Sequence, residues 1–352
     1  MKRNPAVCVP SINNRRKNTL RKRIWQYRWT YLFMVFPTIF LVILFRYLTL
    51  PGAALSFMSF VPVFKQPYTY EGPAIFEGIA EFFNSIAPQN LFGYFSTSEW
   101  VGLAHFKTLF SESNFVRALS NTLILSLLKL AIAFPFTIIL ALMINEMRNK
   151  RYKRVLQTVF TFPHFLSWVV VSGIVLNIFG DTGAIKKMLM HYAPQMAENW
   201  NVLYNPSTFR LNMVLLEIWK ECGWGTILYL GAIAGIDPSL YEAAAIDGCG
   251  RFKMCLHVTL PGITSVIVIM FLLSVGNMVN ANFDQVFNLY TPQTYATGDV
   301  IDTYIYRMSF QSTNVSDFGF TTAVGLFKSV VNFAMLIVAN GVAKAMGYDG
   351  IM

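Results

Sequence analysis

The sequence predicts an all-α integral membrane protein with about six transmembrane helices and both termini in the cytoplasm. Three observations lead there. The 352 residues are 55% apolar and 15% aromatic but only 13% charged, about half the charged share of an ordinary soluble chain. Six stretches reach the ~20 mostly apolar residues that a bilayer crossing needs. Basic residues gather on one side of those stretches and acidic residues on the other.

The tail 1–28 holds Lys2, Arg3, Arg15, Arg16, Lys17, Arg21, Lys22, Arg23 and Arg28 and no acid. Excess Lys and Arg marks cytoplasmic segments, so the N-terminus is placed inside. Such a tail can bind nucleic acid in other contexts; directly ahead of a span it reads as a topology determinant lying against anionic lipid. The first span, 29–50, is longer than a signal-peptide core, contains Pro37 and Arg46 and lacks a small-x-small cleavage pattern. It is read as a retained helix. Segment 51–117 lies outside and is long for a connector, which suits a functional loop; within it, Ala74–Ile86 has a weak helical period.

Five further spans fill 118–346: Ala118–Met147, Val155–Phe179, Leu211–Ile236, Ile263–Leu289 and Thr321–Met346. The inside loop Asn145–Arg154 is basic, the inside loop 237–262 carries Arg251 and Lys253, and Lys344 precedes the short inside tail 347–352. The outside loops carry most of the acids, including Glu71, Glu77, Glu81, Glu99, Asp181, Glu198, Asp299, Asp302 and Asp317, with Lys186, Lys187 and Arg307 as minor exceptions. The four cysteines, Cys8, Cys222, Cys249 and Cys255, fall in the tail, a span and an inside loop. No disulfide and no zinc site is expected from them.

Enzyme signatures are missing from the sequence. It has no His-Glu-x-x-His, no Cys-x-x-Cys and no Gly-x-Ser-x-Gly. His105, His164, His191 and His257 do not cluster. Gly325–Ser329 (GLFKS) ends like a phosphate loop but lacks the glycine spacing and sits inside a span. The chain is therefore expected to be non-catalytic and to bind neither ATP nor metal itself.

Polar residues within spans are costly in lipid and face a partner or a water-filled cavity. Asn277, Asn280 and Asp284 fall at i, i+3 and i+7, one face of a continuous helix, and Asn282 and Gln285 widen it. Glu217, Lys220, Glu221 and Trp224 share another face. Each residue alone is as well explained by hydrogen bonding between helices. As a group, amides and carboxylates beside aromatic rings suit a path for hydroxyl-rich ligands. Lys129 and Lys328, single charges in apolar spans, are expected to pair with acids such as Glu217 or to face another subunit.

The loop 237–262 is patterned beyond what a connector needs. Pro238 suits a first helical turn, and Ser239 with Glu242 reads as a capping box. Glu242-Ala243-Ala244-Ala245-Ile246-Asp247 gives a short helix that Gly248 can end by adopting left-handed geometry. Arg251–Val258 gives a second short helix, stopped by Leu260-Pro261. Small alanines on an exposed helix suit close docking into a groove of a soluble partner, with Glu242, Asp247, Arg251 and Lys253 fixing its register.

This loop resembles the EAA loop in membrane subunits of binding-protein-dependent ABC importers. Glu242-Ala243-Ala244, Gly248 six residues after the glutamate, and Val258-Thr259-Leu260-Pro261 match its signature, with valine replacing the usual isoleucine. Trp100–Phe110 (WVGLAHFKTLF), FRYLTLPGAALSF, FPHFLSWVVVSGIV and GIDPSLYEAAAIDG extend the resemblance to the carbohydrate-uptake class and its oligosaccharide branch, from about Arg28 onward. Pro67–Phe95 looks longer than usual for that branch.

The resemblance implies a type I ABC importer permease fold in a bacterial cell membrane. It implies a second homologous permease, two cytoplasmic ATPases carrying ATP and Mg, and an extracytoplasmic solute-binding protein, often a lipoprotein. Glu242, Ala243, Ala244, Asp247 and Gly248, with Leu260 and Pro261 closing the motif, would form the ATPase-coupling segment. Asn277 to Gln285 would line the translocation path. Two other readings compete: the same architecture for a uronate oligomer, polyol or peptide, and a membrane-embedded sugar transferase. The transferase would need a convergent carboxylate pair or metal site in the loop, which the sequence does not offer.

Overall fold

A computed structural model describes residues 27–47, 50–59, 99–311 and 318–347. Most of the basic tail and the Ala74–Ile86 segment lie outside these residues. The chain divides into two units, Met1–Leu55 and Ser56–Met352. In the first, α1 (Arg28–Val42) continues into a π turn at Ile43–Tyr47. Its apolar residues face outward, as lipid-facing residues do.

The second unit opens with a two-residue ladder pairing Met58–Ser59 with Glu99–Trp100. Then follow α2 (Ala104–Ser111), α3 (Ser113–Leu128), a π turn at Lys129–Ala133 and α4 (Phe134–Asn145). Next come α5 (Lys150–Thr161), α6 (Trp168–Phe179), α7 (Ala184–Tyr192) and α8 (Pro194–Glu198). The 29-residue α9 (Pro206–Ala234) leads to α10 (Pro238–Ile246), α11 (Arg251–Met254) and α12 (Thr264–Gly276). The chain ends in α13 (Phe283–Leu289), α14 (Ile301–Tyr306) and α15 (Phe318–Ala345).

Four stretches are long and apolar enough to cross a membrane: Phe33–Phe57, Ser113–Asn145, Trp168–Tyr192 and Phe318–Ala345. A fifth is counted if Arg251–Gly262 and Thr264–Gly276, which meet at 62°, form one bent crossing. The remaining expected span corresponds to α9. At 1.5 Å per residue it is roughly 43 Å long, so length is not what sets it apart. It carries Arg210, Glu217, Lys220 and Glu221, and the structure satisfies all four with partners, as lipid would require.

Two expected continuous spans are interrupted. Val155–Phe179 is split by a 3₁₀ turn at Phe162–Phe165 and an extended Leu166. Pro163 supplies no N–H for a regular helix, and Ser167 recaps the chain by accepting from Val170 N at 3.3 Å. Ile263–Leu289 ends as a helix at Gly276 and resumes only at Phe283. Backbone groups freed by this break find side chains: Val279 N–H donates to Asn332 Oδ1 at 3.0 Å, and Ala281 O accepts from Lys129 Nζ at 3.4 Å. A break at membrane depth is tolerated where protein or a water-filled cavity covers it.

Close helix approach sets the frame. A Cβ on Gly223 would stand 2.0 Å from Phe160 O, and one on Gly225 would stand 2.7 Å from Thr137 Cγ2. These glycines let α9 lie directly against α5 and α4, the small-residue contact usual between membrane helices. The main apolar core joins Leu125, Trp168, Val171, Phe209, Met213, Val286 and their neighbours. A second gathers Leu109, Phe115, Val279, Ile301, Tyr304 and Val324.

Candidate functional site

The patterned loop forms an exposed knob. The Asp237 side chain, one residue ahead of Pro238, accepts from Ser239 N at 2.9 Å. This corrects the expected Ser239–Glu242 capping box: proline takes the first helical position, so the cap falls on the residue before it. The bond holds the Asp237 carboxyl below its ordinary range. Gly248 ends the helix with φ +76°. Cys249 N bonds Ala244 O at 3.0 Å and Gly248 N bonds Ala245 O at 3.1 Å, the paired bonds of a Schellman cap.

The knob's outer surface mixes bare apolar side chains with charged ones. Glu242, Ala243, Ala245 and Asp247 are exposed and Ala244 half-buried. Ile246 is 86% exposed and Phe252 76%. Sequence pattern singled out the alanines but not Ile246 and Phe252, whose signal was their isolation within a polar loop. Tyr241 Oη and Thr259 Oγ1, 3.0 Å apart, tie α10 to the returning chain. Leu260-Pro261 does not stop the second helix as expected. Helical geometry runs on through a π turn at Cys255–Thr259 and one turn at Leu260–Gly262, and breaks at Ile263. Proline sits in the first turn of that last segment, where its missing N–H costs nothing.

Of the polar span residues, Glu217, Asn277, Asn280, Asn282 and Gln285 meet inside the bundle, though not as one helical face. Asn277, Asn280 and Asp284 do not share a continuous helix, because the backbone leaves helical geometry between Gly276 and Phe283 and Asn282 adopts φ +63°. Asparagine tolerates this left-handed state better than most residues. A cavity of about 250 Å³ is lined by Ser126, Lys129, Glu217, Glu221, Asn277 and Asn280, among others. Ser126 Oγ is buried there without a partner among the described residues.

Charge in this wall is balanced pair by pair. Lys129 Nζ donates to Glu217 Oε2 at 3.1 Å and to Gln285 Oε1 at 2.6 Å. Asn282 Nδ2 donates to the same Glu217 oxygen at 3.4 Å, and Gln285 Nε2 to Met213 O at 2.7 Å. Glu221 sits 2.6 Å from Lys220 Nζ and 2.6 Å from His164 Nδ1. Lys220 is only 5% exposed; it donates to His164 O at 3.1 Å and lies 5.2 Å from the Trp168 ring. The Trp224 ring stacks on His164 at 4.5 Å. Lys220 and Trp224 therefore brace α9 against the Phe162–Phe165 turn, away from the cavity lining. Gln285 is fully buried, while Asp284 is exposed on α13. Lys328 pairs with Asp302.

Among the described residues no group of three or more His, Cys, Asp or Glu side chains converges, and Cys222, Cys249 and Cys255 are free thiols. The arrangement offers an exposed, capped helix at one end and a charge-balanced polar cavity within the bundle.

Comparison with known proteins places the chain in a family. Residues 133–348 match the family described as binding-protein-dependent transport system inner membrane component. The polygalacturonan/rhamnogalacturonan transport system permease protein YteP of Bacillus subtilis is 36% identical over 350 residues, covering 99% of this chain and 97% of that one. Protein LplB of the same organism is 37% identical over 325 residues, covering 92% and 91%. A crystal structure of a bacterial ABC transporter that imports the acidic polysaccharide alginate superposes with TM-score 0.72 at 33% identity, covering 93% and 99%. The alginate transporter in complex with its pentasaccharide-bound periplasmic protein gives 0.73 at 32% identity, covering 94% and 99%. The chain is a multi-pass, non-catalytic membrane subunit and belongs to the permease family of binding-protein-dependent ABC importers.

Proposed function

We propose that this permease translocates an oligosaccharide and is driven by ATP hydrolysed on partner subunits. The carrying observation is the exposed knob Pro238–Phe252: a doubly capped helix that turns bare alanines and an 86% exposed Ile246 outward. An ATPase cleft is the partner that fits it, with Glu242, Ala243, Ala244, Asp247 and Gly248 on the contact. A second homologous permease would cover the open side of the bundle, and an extracytoplasmic binding protein would deliver the solute. ATP and Mg belong to the ATPases.

The cavity supports the choice of solute. Its wall pairs every acid with a base and adds amides and the unpartnered Ser126 hydroxyl, a set that exchanges hydrogen bonds with sugar hydroxyls without trapping a charge. Within this class a uronate-bearing oligomer is the first to test. Two of the proteins similar over more than nine-tenths of the chain are named for polygalacturonan/rhamnogalacturonan and alginate.

The test is uptake of labelled trigalacturonate and maltotriose by cells carrying Gly248→Asp. An aspartate at φ +76° strains the cap and adds charge to the contact. Uptake is expected to vanish while the complex assembles; unchanged uptake would overturn the coupling assignment. For the path, Asn280→Leu is expected to cut uptake at least tenfold with assembly retained. Normal uptake, or failure only through lost assembly, would make the asparagine structural.

A further inference from the structure

Beyond the cavity the molecule carries a run of aromatic rings that none of its cores absorbs. Phe283 and Phe287 stack at 5.0 Å along α13. Tyr306 packs edge-on to Phe287 at 4.8 Å and lies 5.8 Å from Phe283, and Phe310 follows 5.4 Å from Tyr306. These four rings belong to none of the four apolar clusters. Phe283, Phe287 and Tyr306 are half-exposed and Phe310 is 70% exposed.

The same helix face carries Asp284 and Asn288, because positions 283, 284, 287 and 288 lie together on an α-helix. Asp284 is exposed and its carboxylate has no ion pair among the described residues. Asn288 Nδ2 donates to Asp284 O at 2.7 Å, which leaves its own carbonyl oxygen free to accept. A lipid-facing helix would not present an unpaired carboxylate between two phenylalanines. The face is therefore wet, and its rings need an occupant that tolerates water at its edges.

We infer that Phe283, Phe287, Tyr306 and Phe310 form a stacking platform for the pyranose rings of the transported oligosaccharide, with Asp284 and Asn288 bonding the hydroxyls at the ring edge. The inference rests on the oligosaccharide reading above. A pyranose has flat C–H faces that pack on aromatic faces and a rim of hydroxyls that needs donors and acceptors. The platform continues from the cavity: Asn280 lines it, Asn282 bonds Glu217, and the left-handed turn at Asn282 delivers Phe283 directly beyond. Tyr306 is held in place by its neighbour. Arg307 pairs with Asp299 at 2.6 Å and lies 4.8 Å from the Tyr295 ring, and Asp299 also accepts from Thr303. Rings fixed before the ligand arrives lose little freedom on binding it.

The test uses the complete importer in proteoliposomes, with labelled trigalacturonate and maltotriose presented by the binding protein. Sugar delivered per ATP hydrolysed is measured for Phe283→Leu, Phe287→Leu and Tyr306→Leu, with Phe287→Tyr and Tyr306→Phe as ring-keeping controls. Each leucine variant is expected to assemble and to keep the ATP hydrolysis triggered by loaded binding protein. Each should deliver about three- to tenfold less sugar per ATP, the range a lost ring contact allows. The controls should stay within about twofold of the unmodified importer. Leucine variants matching the unmodified importer would overturn the platform alone. Variants that fail to assemble would make the face a subunit contact, which also overturns it. An unmodified importer that moves neither sugar would overturn the oligosaccharide reading itself, and no variant is needed to see that.

Discussion

Lys129 shows how a single charge is housed at membrane depth. It stands at the first residue of a π turn, a geometry that widens a helix and often marks functional positions. From there it reaches Glu217, Gln285 and Ala281 O on two other segments. Lys129→Met would leave Glu217 with a carboxylate facing the cavity and only Asn282 to bond it. The expected cost is about 3 kcal/mol at most, since the pair is largely but not fully enclosed. The double variant Lys129→Met/Glu217→Gln should regain most of the thermal stability that the single variant loses, as read by detergent melting curves. The pairing of Lys129 with an acid was legible, because an isolated lysine in an apolar span needs one. Its bonds to Gln285 and Ala281 were not, because they exist only where the helix is broken.

Helices here are legible where a short-range rule governs them and obscure where a neighbour does. Pro238 and Gly248 bound α10 as read, since each acts through its own backbone. The gap at 277–282 depends on Asn332 and Lys129 from distant helices, and no local period reveals it. Gly223 is another such case. Nothing in Cys222-Gly223-Trp224 announces that Phe160 O lies where a methyl group would go. Gly223→Ala should push α9 off α5, lowering stability by about 1–3 kcal/mol and loosening the His164–Glu221 contact. Accelerated proteolysis between Lys150 and Thr161, relative to the unmodified protein, would show it. Resistance unchanged from the unmodified protein would mean the helices part without cost.

The overall architecture was the most readable part, because apolar length and charge asymmetry act along the whole chain and do not depend on detail. A count by helix length and hydropathy alone finds four crossings, or five with the bent pair, and leaves out α9, whose charges are paired within the structure. A labelling experiment settles its course. In a cysteine-free chain, Asn201→Cys should react with an impermeant maleimide only from outside and Ile246→Cys only from inside. Both reacting from one side would remove α9 from the crossings and leave five spans at most.

The 62° bend between Arg251–Gly262 and Thr264–Gly276 has a mechanical meaning. A straight rod between the knob and the asparagines would carry a shove at Ile246 as thrust along its own axis, toward the opposite leaflet. An elbow at Ile263 instead makes the knob a crank. Were the knob pushed sideways by a docked partner, as proposed above, the push would turn α12 about its own axis and re-aim the Asn277 side chain in the cavity wall without travel across the bilayer.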